Sequence, residues 1–150
     1  MVESKLEIAK SLGATDVINA GEVKDVPEAV RDITGGGVHY SFEAIGLKAT
    51  AEQCFKMLQS GGVATVIGMV PVGTMIELHG AELLQEKKIQ GSNRGSNRFR
   101  VDMPRFVDFY LSGKLHLDQM IAKHIKLGDV NDALSALESG QEARHVIMFD

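Results

Sequence analysis

The chain has 150 residues, 44% hydrophobic and 24% charged, which is one domain's worth of protein with enough apolar material for a real core. Its net charge of -4 gives the fold as a whole no electrostatic footprint for nucleic acid, and no apolar run approaches the roughly 20 residues that cross a bilayer. The start, Met1-Val2-Glu3-Ser4-Lys5, has neither the basic opening nor the apolar stretch of a signal peptide. The single cysteine, Cys54, excludes an internal disulfide and suits a reducing compartment, so a cytoplasmic location is expected.

Along the chain the apolar pattern alternates between two periods. Leu6, Ala9 and Leu12 recur at helical spacing, with Ser4 and Glu7 fitting a capping box and Gly13 able to end the helix. Asp16 to Asn19 is a short strand candidate. Val26, Ala29, Val30 and Ile33 form a second helical stripe, stopped by Gly35-Gly36-Gly37. Val38 to Ile45 reads as a strand ending at Gly46, Thr50 to Leu58 as a helix ended by Gly61-Gly62, and Val63 to Ile67 as an almost wholly apolar strand closed by Gly68. Beyond it, Thr74 to Leu78 resembles a short strand, Ala81 to Lys87 a short helix, and Lys88 to Ser92 another strand. Val107, Tyr110 and Leu111 belong to a longer helix ending at Gly113. Ile121 to Leu127 alternates, Asp129 can cap a helix carrying Val130, Ala133, Leu134 and Leu137, and Val146 to Phe149 is a final strand. There is no internal repeat and no low-complexity linker.

Strands and helices alternating at this spacing imply an α/β fold with a mostly parallel, doubly wound sheet. Ligands in such sheets bind beyond the carboxyl ends of the strands, near the point where strand order reverses. Two consecutive strands end there in glycine-containing turns, Ala44-Ile45-Gly46 and Ile67-Gly68-Met69-Val70-Pro71, whose Ile45 and Val70 could sandwich a flat ring. Each glycine can equally be only the positive-φ residue of a strand-to-helix turn, and spacing alone leaves both readings open.

Several ordered motifs resemble medium-chain, zinc-type alcohol dehydrogenases: Glu3 through Asp16, Gly37 through Gly46, Gly61 through Gly68, Gly113-Lys114-Leu115 and Arg144-His145-Val146-Ile147. Together they cover nearly the whole chain, and the last third is most similar to the branch that includes nicotinoprotein alcohol dehydrogenases. The resemblance implies an NAD-dependent oxidoreductase that moves hydride between an alcohol or aldehyde and the cofactor. It places residues 1–100 in a partial dinucleotide-binding domain, and 101–150 in helices and strands that close it and return to the catalytic domain.

The same resemblance implies roles for individual positions. Lys5 would reach the adenosine ribose, and Ala44, Ile45 and Gly46 would lie along the adenosine half of NAD. Ile67, Gly68 and Met69 would touch the nicotinamide, with Ser92, Asn93 and Arg94 binding its carboxamide through their backbone. Arg144 would pair with the pyrophosphate, for which a guanidinium's forked donors are suited. Without the resemblance, Lys5 and Arg144 read as ordinary solvated charges. Sixth-strand pairing across a two-fold axis would make the region 77–92 a homo-oligomer contact.

Two parts of the family's machinery are missing from the sequence. The glycine-rich phosphate turn after the first strand, with an acidic residue about 20 positions later, is not present. Gly35-Gly36-Gly37 precedes a strand rather than opening a helix and is no substitute. Zinc ligands are missing as well: Cys54 sits on the apolar stripe of a helix, and His39, His79, His116, His124 and His145 show no metal-ligand spacing. Glu43 stands near the expected cleft with no visible partner. The run Asn93 to Arg100, with three arginines and Phe99, reads as a solvated loop rather than a nucleic-acid contact. The expectation is therefore an incomplete Rossmann-like sheet lacking its first two strands, inactive alone, with a partial NAD site and no bound zinc. The alternatives are a non-catalytic nucleotide-binding or dimerisation module, a fragment of a zinc-independent quinone or enoyl reductase, and a truncated reading frame without stable function.

Overall fold

A computed structural model describes residues 3–140 and 144–149, so the opening Met1-Val2 lies outside the described residues. In chain order the helices are α1 (Glu3–Ser11), α2 (Val26–Thr34), α3 (Lys48–Lys56), α4 (Gly80–Leu83), α5 (Phe99–Leu111) and α6 (Val130–Glu138). The strands are β1 (Val38–Glu43), β2 (Leu58–Val66), β3 (Lys88–Gly91), β4 (Lys123–Ile125) and β5 (His145–Ile147). The chain divides into two compact units, one of residues Ile18–Asn97, the other of Met1–Val17 with Arg98–Asp150.

In the central unit, β1, β2 and β3 form a parallel sheet in that order, each strand reaching the next through a helix-bearing crossover. This is the α/β architecture expected from the alternating periods, and the three strands stand as neighbours in chain order. Local chemistry sets the helix ends. Asp25 caps α2 by accepting the Glu28 amide at 2.8 Å, Pro27 occupies the first turn, and Gly35 closes the helix in the left-handed conformation at φ 69°. Helix α3 buries Ala51, Cys54 and Phe55 at helical spacing, and Cys54 and Phe55 cluster with Leu58 and Ala64 of β2. Phe55 and Leu58 are each 1% exposed, and burying side chains of that size stabilises by about 1.5–3 kcal/mol apiece. Val38, Leu78 and Ile89 pack around this core.

Several local expectations are corrected. Residues 16–19 are not a strand: among the described residues none shares a ladder of backbone hydrogen bonds with them. Thr74 to Leu78 is likewise outside any ladder. Leu58 belongs to β2 rather than to the preceding helix: α3 ends at Lys56, and Leu58 already pairs with Val38. Gly61-Gly62 therefore lies inside β2, where the pairing register jumps between Val38 and Tyr40.

In the other unit, β4 and β5 pair in parallel, with Lys123 opposite His145 and Ile125 opposite Ile147. Ile125 and Ala133 of α6 are its buried apolar side chains among the described residues. Asp129 precedes α6 but does not cap it; its carboxylate accepts the Lys126 amide at 3.2 Å instead. Helix α1 starts at Glu3, which puts Ser4 inside the helix rather than at its cap. Among the described residues no helix is long and apolar enough to cross a membrane.

Candidate functional site

The register of the central sheet fixes where chemistry can sit. Glu43 stands opposite Val66, and Val66 opposite Gly91, so the three parallel strands finish level with one another. The segments that follow are Ala44-Ile45-Gly46, Ile67-Gly68-Met69 and Ser92-Asn93-Arg94, the three backbone stretches singled out in the sequence. The sheet brings all three to one rim, at the carboxyl ends of its strands. That is the end at which open α/β sheets bind ligands.

Glu43 organises this rim. It is the last residue of β1, only 2% exposed, and its Oε1 accepts three hydrogen bonds: from the Ile45 amide at 2.8 Å, the Gly46 amide at 2.7 Å and the Thr50 hydroxyl at 2.8 Å. Burial pushes its carboxyl toward the neutral acid, but the Gly46 amide, the Thr50 hydroxyl and the Ile45 and Leu47 amides outweigh that and hold it below the ordinary carboxylate range. The backbone carbonyl of the same residue accepts the amides of Ile67 at 2.7 Å and Gly68 at 3.0 Å. The sequence offered no partner for Glu43, because its donors are mostly main-chain amides, which carry no residue-type signature.

The two turns approach so closely that glycine is required at both positions. A Cβ on Gly46, whose φ is +93°, would lie 2.6 Å from the Met69 carbonyl oxygen. A Cβ on Gly68 would collide with the Gly46 amide nitrogen and lie 2.5 Å from Glu43 Oε2. The side chains at the tips point outward: Ile45 is 71% exposed and Met69 92% exposed. The rim therefore combines a rigid backbone with uncommitted apolar side chains, the composition that suits a flat organic ligand.

The third segment is built differently. The Ser92 amide donates to the Val66 carbonyl at 2.9 Å, extending the sheet by one bond, and its hydroxyl lies 3.0 Å from that of Ser96. Arg94 adopts φ 51°, uncommon for a side-chain-bearing residue, and Asn93 and Arg94 are exposed. Lys5 and Arg144 belong to the other unit. Lys5 is exposed on α1 and lines a cavity of about 140 Å³ with Ser4, Ile8, Gln119 and Met120. Arg144 is exposed just before β5, its carbonyl accepting the Ala122 amide at 2.8 Å.

Cavity volume does not locate the rim. A cavity of about 490 Å³ opens at the amino ends of the strands among Asp25, Arg31, Lys56, Ser60 and Lys87. A second, of about 370 Å³, lies beside the carboxyl ends of β2 and β3, lined by Ala51, Val66, Val70, Ile76, Ile89 and Gly91. Its apolar walls and position suit a ligand of the rim better. Among the described residues no group of three or more His, Cys, Asp or Glu side chains could hold a metal ion. Cys54 is buried under α3, and burial raises its thiol above the ordinary range. The described residues do not make a zinc site.

The chain is similar to known proteins in both sequence and structure. The zinc-binding dehydrogenase family profile matches residues 1–112. Alcohol dehydrogenase-like 1 of Arabidopsis thaliana is 35% identical over 97% of this chain and 38% of its own length, and the class-3 alcohol dehydrogenase of Dictyostelium discoideum is 33% identical over 97% and 40%. Among solved structures, benzyl alcohol dehydrogenase from Acinetobacter calcoaceticus superposes with a TM-score of 0.94 at 32% identity, covering 100% of this chain and 41% of that one. An alcohol dehydrogenase zinc-binding domain protein from Burkholderia ambifaria gives 0.93 at 35%, covering 99% and 40%. The chain thus spans about two-fifths of the length of these relatives. With a matching profile over most of its length and a fold that superposes throughout, this chain belongs to the zinc-binding dehydrogenase family.

Proposed function

We propose that this chain supplies the nicotinamide-facing part of an NAD site in an alcohol dehydrogenase, whose whole protein moves hydride between an alcohol or aldehyde and the cofactor. The observation that carries the proposal is the level ending of β1, β2 and β3, which sets three turns on one rim. In this reading Ala44, Ile45 and Gly46 face the adenosine half of NAD, and Ile67, Gly68 and Met69 face the nicotinamide. Ser92, Asn93 and Arg94 hold the carboxamide through their backbone, Lys5 reaches the ribose, and Arg144 pairs with the pyrophosphate. Residues 1–100 then belong to the dinucleotide-binding domain, and residues 101–150 close it. Bound NAD supplies the hydride acceptor; this chain binds and orients it and excludes water from its ring.

Zinc, in this reading, is held elsewhere in the whole protein, since the described residues offer no ligand group. Among the described residues strand β3 pairs only with β2, leaving its outer edge open for a second copy around residues 77–92. A cytoplasmic location fits the single cysteine, Cys54, which has no second cysteine in the chain to pair with. Isothermal titration of the chain with NAD, beside a steady-state assay with short-chain and aromatic alcohols, tests the proposal. Saturable NAD binding without NADH production is expected, at lower affinity than a complete dinucleotide domain because the sequence carries no glycine-rich phosphate turn. Absence of any saturable binding would remove the cofactor role, and NADH production dependent on the chain would contradict a role confined to binding the cofactor.

A further inference from the structure

We propose that Glu43 is a positioning residue for the cofactor, clasping the adenosine-side and nicotinamide-side turns at a fixed spacing. The inference rests on the NAD reading above and extends it to a residue that does not itself touch the ligand. One residue holds both turns by different atoms. Its side-chain Oε1 takes the Ile45 and Gly46 amides, while its backbone carbonyl takes those of Ile67 and Gly68. The remaining oxygen, Oε2, is buried without a hydrogen-bond partner among the described residues and faces Gly68, where even a methyl group would lie only 2.5 Å away.

Two consequences follow for recognition. The Ile45 and Gly46 amides are already committed to a carboxylate, so the first turn has no free amide pair there with which to cradle a phosphate. A buried negative charge just behind it also disfavours an anion. The first turn is therefore specific for a neutral, flat nucleoside surface laid against Ile45, with the phosphates held away from it. The second consequence is that spacing between turns depends on an acceptor-only group. A glutamine cannot replace it: with its amide nitrogen at the Oε2 position, two N–H donors face Gly68 in a buried space. With the amide flipped, those donors oppose the Ile45 and Gly46 amides. Either way the contact between the two turns is weakened.

The test compares ligands that span one turn or two. NAD and AMP are titrated against the wild-type chain, Glu43→Gln and Thr50→Val, the last of which removes one donor to Oε1 while leaving the carboxylate in place. Since NAD spans both turns and AMP only the first, Glu43→Gln is expected to weaken NAD about tenfold and AMP less than about twofold. Thr50→Val should show the same ordering at smaller amplitude, and it carries the test if Glu43→Gln does not fold. In ligand-free spectra, Glu43→Gln should shift the Gly68 and Met69 amides as well as those of Ile45 and Gly46. Equal losses of NAD and AMP, or shifts confined to Ile45 and Gly46, overturn the clasp while leaving the cofactor reading intact. No NAD binding by the wild type overturns the cofactor reading and the clasp with it.

Discussion

The central sheet buries one charged side chain near each end, and the two are stabilised in different ways. At the carboxyl end, Glu43 is satisfied by backbone amides and a threonine hydroxyl. At the amino end, Lys87, 8% exposed and just ahead of β3, donates to Glu82 at 2.8 Å and stands 5.8 Å from the centre of the Phe55 ring. A charge held by side chains can be removed together with its partner, and the site repacks around an apolar replacement. A charge held by main-chain donors cannot, because those donors stay behind whatever residue replaces it. The lysine end is thus an ordinary structural solution, whereas the glutamate end commits the sequence to one backbone arrangement. The carboxyl end is also where the ligand rim lies.

The contrast predicts a graded set of stability losses in chemical denaturation. Gly68→Ala should be the most damaging, at roughly 3 kcal/mol, because its new methyl meets backbone of the facing turn and a buried carboxylate rather than a side chain that can move. Glu82→Ala should cost less, about 1–2 kcal/mol, since it strands a buried ammonium whose flexible stem can still lead it toward water. Lys87→Met, which keeps the packing over Phe55, should stay within about 1 kcal/mol of the wild type or improve on it. If Lys87→Met were as harmful as Gly68→Ala, the two ends would not differ in the way described.

Acid titration sharpens the same comparison with a smaller effect. The folded Glu43 carboxyl lies below its ordinary range, so its contribution to stability is present above that range and is lost as pH falls through the lower folded value. Between wild type and Glu43→Gln, the stability difference should therefore shrink below roughly pH 4, where the unfolded carboxylate takes up its proton first. A difference that stays constant down to the acid-unfolded state would mean that the ionised form is not the one the turns hold.

Much of the fold was legible because it rests on periodicity. The alternation of Leu6, Ala9 and Leu12 with the apolar run Val63 to Ile67 separates helix from strand, and Cys54 falls on the core-facing stripe that the structure buries. Strand content was harder to read where it depends on neighbours. Residues 16–19 have the composition of a strand but no adjacent backbone to pair with, and Leu58 has the spacing of a helix yet is recruited into β2 by Val38. The turns were located by their glycines, but their coupling was not. Glu43 is one acidic residue among 20 Asp and Glu, and nothing in its local sequence reveals that amides two and three residues ahead, and two more from the next strand's turn, converge on it.

The most direct test of the account is a map of backbone amide shifts across the 15N-labelled chain during an NAD titration. The level ends of β1, β2 and β3 predict that Ala44 to Gly46, Ile67 to Met69 and Ser92 to Arg94 move together, along one binding curve with one dissociation constant. Amides around the larger cavity at the opposite end, such as Arg31, Ser60 and Lys87, should stay in place. Shifts concentrated at that opposite end, or separate curves for the three turns, would contradict a single cofactor rim.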